Sequence, residues 1–199
     1  MFIVGHFRYN VPHMVGHTPD RRIERTRSAI VDAFGALFFD HGYERIDVQE
    51  VARRANVGRS TFYRHFRGKE DLLVQSLAPL FCYLADACIS DDEQPQLRLV
   101  CGHFWENRRR APAVFSGRSM NLVVRALARA IEARLASLPQ PVQRRFPIKL
   151  LAGQLAAGQM ALLDEWLRGR GSSSPAELSN ALHRSSRAIV RAMLDNGEA

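Results

Sequence analysis

The stretch richest in chemistry lies between residues 51 and 69. It holds six basic residues, Arg53, Arg54, Arg59, Arg64, Arg67 and Lys69, and not one acid. Inside it, Arg59, Ser60, Thr61, Tyr63, Arg64 and His65 crowd around Phe62. Guanidinium forks, hydroxyls and helix N-termini are the parts that grip phosphate oxygens. An arginine in the first turn of a helix can also pair bidentately with a guanine edge. The chemistry indicated is recognition of a nucleic acid. A second basic cluster, Arg21, Arg22, Arg25 and Arg27, is interrupted by the single acid Glu24.

Other chemistries find less support. Cys82, Cys88 and Cys101 are odd in number and include no CxxC pair, which argues against a secreted disulfide framework. Cys101 and His103 match no zinc-ligand spacing, and buried thiols are the common case, so no metal is expected. The chain has no Ser-His-Asp elbow, HExxH, P-loop or GxGxxG. It is therefore expected to be no enzyme and to need no cofactor.

The elements that must position the basic stretch follow from periodicity. Ile23, Ile30, Ala33, Phe34, Leu37 and Phe38 recur at spacings of three and four, predicting an amphipathic helix over 20–41 ended by Gly42. Thr18-Pro19-Asp20 has the character of its start. Asp47 and Glu50 resemble a capping box for a short helix over 48–54. Asn56 sits where a left-handed turn falls, and Gly58 opens a shorter helix through Phe66. Two short helices joined by a tight turn behind a longer supporting helix form a helix-turn-helix, with the second short helix as the reader. Beyond it, helices are expected over 69–89 with a kink at Pro79, then 95–109, 112–116, 118–137, 143–168 and 175–194. No segment alternates as a strand does.

The whole chain has 199 residues, with 28 basic against 20 acidic, a net charge of +8. Only Lys69 and Lys149 are lysines. The apolar content of 46% excludes wholesale disorder. Gross charge does not locate the site: residues 1–75 carry 12 basic and 9 acidic side chains, the rest 16 and 11. The longest uncharged runs, 72–85 and 150–163, are 14 residues each, where a membrane span needs about 20. The first residues have no continuous apolar core of a signal peptide, so a cytoplasmic location is expected. The expected organisation is a flexible arm over 1–17, a helix-turn-helix domain over 18–68, and a helical domain over 69–199.

The words AIVDAFGALFFDHGYERIDVQEVARRANVGRSTFYRHFRGKEDLL resemble the N-terminal domain of TetR/AcrR-type transcriptional regulators. TFYRHFRGKEDLL is the most specific part. The resemblance covers about a quarter of the chain; LAAGQMALLDEWLRGRGSSSPAELSNAL is a looser match. Gly58 departs from the usual Ser or Thr cap, and Asn56 from the usual Gly. The resemblance implies an all-α fold of about nine helices. It also implies a homodimer on a palindromic DNA operator, most often a repressor released by a small-molecule effector in the C-terminal domain. An activator of the same fold, or a sequence-neutral DNA-packaging protein, remains an alternative.

Arg59 and Ser60 are the expected base or phosphate contacts. Thr61, Tyr63, His65 and Lys69 are carried over from the resemblance as backbone contacts, with Arg64 and Arg27 as further candidates. Phe62 and Phe66 are expected to lock the reader onto the supporting helix. Phe104, Trp105, Phe115 and Met120 are candidate effector contacts. Leu151, Leu155, Gln159 and Leu162, with Leu182, Ser185 and Ile189, are expected to pair with their symmetry mates in a four-helix interface.

Overall fold

A computed structural model describes residues 21–92, 94–108, 117–138 and 146–194, without the side chain of Phe39. The expected arm, the cap at Thr18-Pro19-Asp20, the short helix over 112–116 and Phe115 lie outside these residues. Among them the chain is all-helical. It forms α1 (Arg21–His41), a 3-10 turn (Tyr43–Arg45), α2 (Val48–Arg54), α3 (Arg59–His65), α4 (Lys69–Ser76), α5 (Ala78–Ile89), α6 (Pro95–Glu106), α7 (Gly117–Ala136), α8 (Ile148–Leu167) and α9 (Pro175–Leu194).

Local chemistry sets the ends of these helices. Gly42, at φ 74° and ψ 161°, takes an extended positive-φ conformation open to glycine that ends α1, and its N–H reaches the carbonyl of Phe38 at 3.0 Å. Asp47 caps α2 by accepting from the Gln49 N–H at 3.2 Å. The start of α9 is a reciprocal cap. Glu177 N–H donates to the Ser174 hydroxyl at 3.2 Å, and Ser174 N–H donates to the Glu177 carboxylate at 2.6 Å. That Ser-x-x-Glu signal in SPAE is legible in the sequence and was not among the expectations. The helix expected over 69–89 is two helices separated at Leu77. Pro79 has no N–H to donate to the Gln75 carbonyl and its ring crowds that carbonyl, so the helix breaks at Leu77 and Pro79 falls in the first turn of α5.

Two compact units divide the chain between Pro79 and Leu80. In the first, α1 carries Ile30, Phe34 and Leu37 inward, where Phe62, Phe66, Leu72 and Leu73 are also buried. In the second, α7 packs along α8, and α6 and α8 pack against α9. Leu84, Leu97, Leu127, Ile131, Leu155, Leu163 and Leu182 are fully enclosed there. Full burial of each such side chain contributes about 1.5–3 kcal/mol.

Candidate nucleic-acid interface

The turn between α2 and α3 is built on Asn56, whose φ of 54° makes it the one non-glycine residue with positive φ among the described residues. A short polar side chain tolerates that conformation at small cost. The turn is held by Val57 N–H donating to the Ala52 carbonyl at 2.9 Å and Asn56 N–H to Arg53 at 3.1 Å.

These bonds fix the phase of α3. Phe62 is completely buried, and its ring lies 5.9 Å from that of Phe66. At 100° per residue, burying Phe62 turns Arg59, Ser60, Tyr63 and Arg64 outward together, and all four are exposed. Thr61 and His65 flank that face and are half-buried. The Arg59 guanidinium lies 5.6 Å from the centre of the Tyr63 ring, which stiffens both. Arg64 Nη2 donates to Thr61 Oγ1 at 3.3 Å. Burial, followed by the charges of Arg64 and Arg27, pushes the His65 ring below its usual near-neutral pKa. An incoming phosphate would act in the opposite direction.

Two expected contacts point elsewhere. Lys69 Nζ donates to the carbonyls of Tyr43 at 3.2 Å, Ile46 at 3.3 Å and Glu44 at 3.4 Å. Its charge also sits 4.6 Å from the centre of the Tyr43 ring. An ammonium has three N–H donors, so this cradle engages all of them in the folded chain. Arg27 donates to Gln75 Oε1, and its guanidinium lies 5.0 Å over the Phe66 ring. Gln75 is itself held by Asp71 at 2.7 Å, and Asp71 accepts from the Arg67 N–H at 2.8 Å. Lys69 and Arg27 thus tie α1, the 3-10 turn and α4 behind the reader. Asp71 and Gln75 escaped the sequence reading, although their spacing of four on one helix was a usable signal.

In the second unit, Phe104, Trp105 and Met120 of the expected effector residues are described. Phe104 is buried, and Met120 is half-buried. Trp105 stacks on Trp166 with ring centres 4.7 Å apart, and the Arg108 guanidinium covers Trp105 at 4.4 Å. The expected interface residues divide as well. Leu151, Leu155, Gln159 and Leu182 are buried within the single chain rather than facing a partner. Gln159 Nε2 donates to the Leu84 carbonyl at 3.0 Å and to Ser186 Oγ at 2.9 Å, and lies 3.4 Å from the Cys88 sulfur. Leu162 and Ser185 are exposed, and Ile189 is half-buried. The exposed residues of α8 are instead Lys149, Leu150, Gln154, Ala157, Gly158, Ala161, Leu162 and Glu165. Of its surface, α9 adds Ala181, Ser185, Ala188 and Ala192. No described group of three or more His, Cys, Asp or Glu could hold a metal ion. No single described helix is long and apolar enough to cross a membrane.

Residues 30–75 match the family described as bacterial regulatory proteins, tetR family. A stretch of 49 residues is 45% identical to the A-factor receptor protein of Streptomyces griseus, covering 25% of this chain and 18% of that protein. Another of 55 residues is 46% identical to the HTH-type transcriptional repressor KstR of Rhodococcus jostii, covering 28% and 26%. The chain thus spans about a quarter or less of the length of these curated relatives. Among solved structures, a TetR transcriptional regulator from Streptococcus agalactiae is 27% identical with a TM-score of 0.51, over 84% of this chain and 96% of that one. A TetR-family regulator from Streptomyces coelicolor shares the fold, at 17% identity and a TM-score of 0.55, over 88% and 99%. Residues 30–75 thus carry the TetR-family match, and the likeness to solved TetR-family regulators extends over most of the chain.

Proposed function

We propose that this protein is a repressor that binds a palindromic operator as a homodimer and is released by a small-molecule effector. The observation that carries the reading is the outward face of α3: Arg59, Ser60, Tyr63 and Arg64 exposed together, with Phe62 buried behind them. No acid lies between residues 51 and 69 to repel a phosphate. Arg59 and Ser60 contact base edges, where a bidentate arginine–guanine pair discriminates by about 1–3 kcal/mol. Tyr63, Arg64, Thr61 and His65 contact the backbone. Lys69 and Arg27 act by holding the reader in place.

The dimer reading rests on the exposed side of α8, where Leu150 is 61% and Leu162 37% exposed beside Ala157, Gly158 and Ala161. Small side chains let two helices approach closely, and a two-fold axis pairs the same strip on both subunits. This strip lies about a quarter turn around α8 from Leu151, Leu155 and Gln159. For the effector, Trp105, Phe104, Phe115 and Met120 remain the proposed apolar contacts.

Selection from random duplex DNA, followed by footprinting, tests the reading. Protection of two half-sites about one helical turn apart is expected. Uniform binding without a protected palindrome would favour a sequence-neutral packaging protein and overturn the proposal.

A further inference from the structure

The second unit carries a charged cleft that the DNA-reading surface does not use. It measures about 250 Å³ and is lined by Asp91, His183, Arg184, Arg187, Ala188 and Arg191. Positions 184, 187 and 191 fall at helical spacings of three and four, so α9 presents three guanidinium groups along one side. Arg187 and Arg191 both donate to the same oxygen, Oδ1 of Asp91. The Arg187 side chain is only 16% exposed, and its Nε is buried without a hydrogen-bond partner. Asp91, by contrast, is 69% exposed and sits at the start of the link between α5 and α6. His183 anchors that link from the other side, its Nε2 lying 2.9 Å from the Ser90 carbonyl.

We propose that this cleft is a binding site for a small oxyanion, a phosphate- or carboxylate-bearing ligand, and that Asp91 is its built-in competitor. The chemistry is that of guanidinium forks. They pair two N–H groups with two oxygens of a carboxylate or phosphate, and more than one fork can converge on one anion. A single carboxylate oxygen shared by Arg187 and Arg191 occupies the position such a ligand would take. It leaves Arg187 Nε unanswered and Arg184 at the mouth. An exposed carboxylate can swing away without opening the core, because surface ion pairs contribute little to stability. The arginine row lies roughly a quarter turn around α9 from the centre of the small-residue strip of the proposed dimer face, and Ala188 borders both. The proposal stands apart from the DNA reading, and its failure would leave that reading untouched.

The test is calorimetric titration of the full chain with inorganic phosphate, and separately with malonate, at constant ionic strength. Asp91→Asn should tighten binding by about tenfold relative to the unsubstituted chain, because the amide oxygen that remains carries no charge to compete with the anion for the two guanidinium groups. Adding Arg187→Gln should abolish that gain. Because Arg187 is mostly buried, Arg191→Gln on the 58% exposed neighbour provides a second disruption that leaves the core intact. A preference for phosphate over malonate identifies a phosphorylated ligand, and the reverse identifies a carboxylate. Equal heats in the unsubstituted chain and Asp91→Asn, or binding to Asp91→Asn that survives both arginine substitutions, would overturn the proposal.

Discussion

Replacing Lys69 with Met removes its ammonium and keeps most of its stem, and so separates two roles for this residue. In the structure the ammonium faces three carbonyls at 3.2–3.4 Å and the Tyr43 ring. These distances are at the long end for hydrogen bonds, so the two partly buried bonds are assigned about 1 kcal/mol each. The exposed third bond adds little, and the ring contact adds about 0.5 kcal/mol. The sum is about 2.5 kcal/mol, which corresponds to roughly a 10–20 °C drop in the melting of a unit of this size. Hydrogen exchange should show the loss first in the 3-10 turn and at Ile46, whose carbonyls the ammonium holds. Arginine should not rescue it, since a planar fork fits a compact three-carbonyl cradle poorly. The counter-test is the salt dependence of operator binding. Each phosphate contact removed from duplex DNA lowers the slope of log K against log salt by about 0.9, hence by about 1.8 for a dimer losing two lysines. An unchanged melting profile with a slope reduced by that amount would refute the cradle and return Lys69 to the phosphate backbone.

Arg59→Ala should reduce discrimination between the best operator and single-base variants by about 1–3 kcal/mol while leaving non-specific binding nearly intact, as measured by competition gel shifts. Gln159→Leu removes the buried amide that joins Leu84 and Ser186, and should lower the unfolding free energy of the second unit by about 1–3 kcal/mol in urea titrations. Burial pushes the Cys88 thiol up to about 11 and Cys101 up to about 12. The folded chain therefore keeps protons that the unfolded chain releases from about pH 9. The stability these thiols contribute is complete below that pH and is lost as pH rises toward 11–12, which alkaline melting curves would record. The same burial should leave Cys88 and Cys101 unalkylated at neutral pH until the chain unfolds, as peptide mass mapping would show.

The supporting helix, the short pair, Asn56 in the turn and Phe62 and Phe66 behind the reader were all legible in the sequence. There the apolar positions recur on a single face, and the polar residues left over can only point outward. The reader's supports were harder to see. Lys69 bonds to carbonyls 23 to 26 residues away, and Arg27 to a side chain 48 residues away, and no periodicity encodes such partners. In α8 the difficulty is rotational. Leu150, Ala157, Ala161 and Leu162 make one apolar face, and Leu151, Leu155 and Leu163 make another. A helix that is apolar nearly all round does not reveal which side its own chain covers. The polar Gln159 reads as a surface residue until Leu84 and Ser186 are brought to it.

The tryptophan stack gives the molecule an optical property of its own. The chain has two tryptophans, Trp105 and Trp166, and they lie ring against ring in the second compact unit. Their emission is therefore a local reporter, insensitive to melting confined to the reader. Rings 4.7 Å apart should also couple electronically, so parting α6 from α8 would change the near-ultraviolet circular dichroism as well as the emission. An effector that wedges between these helices would announce itself without a label, and one that binds elsewhere would leave both signals unchanged.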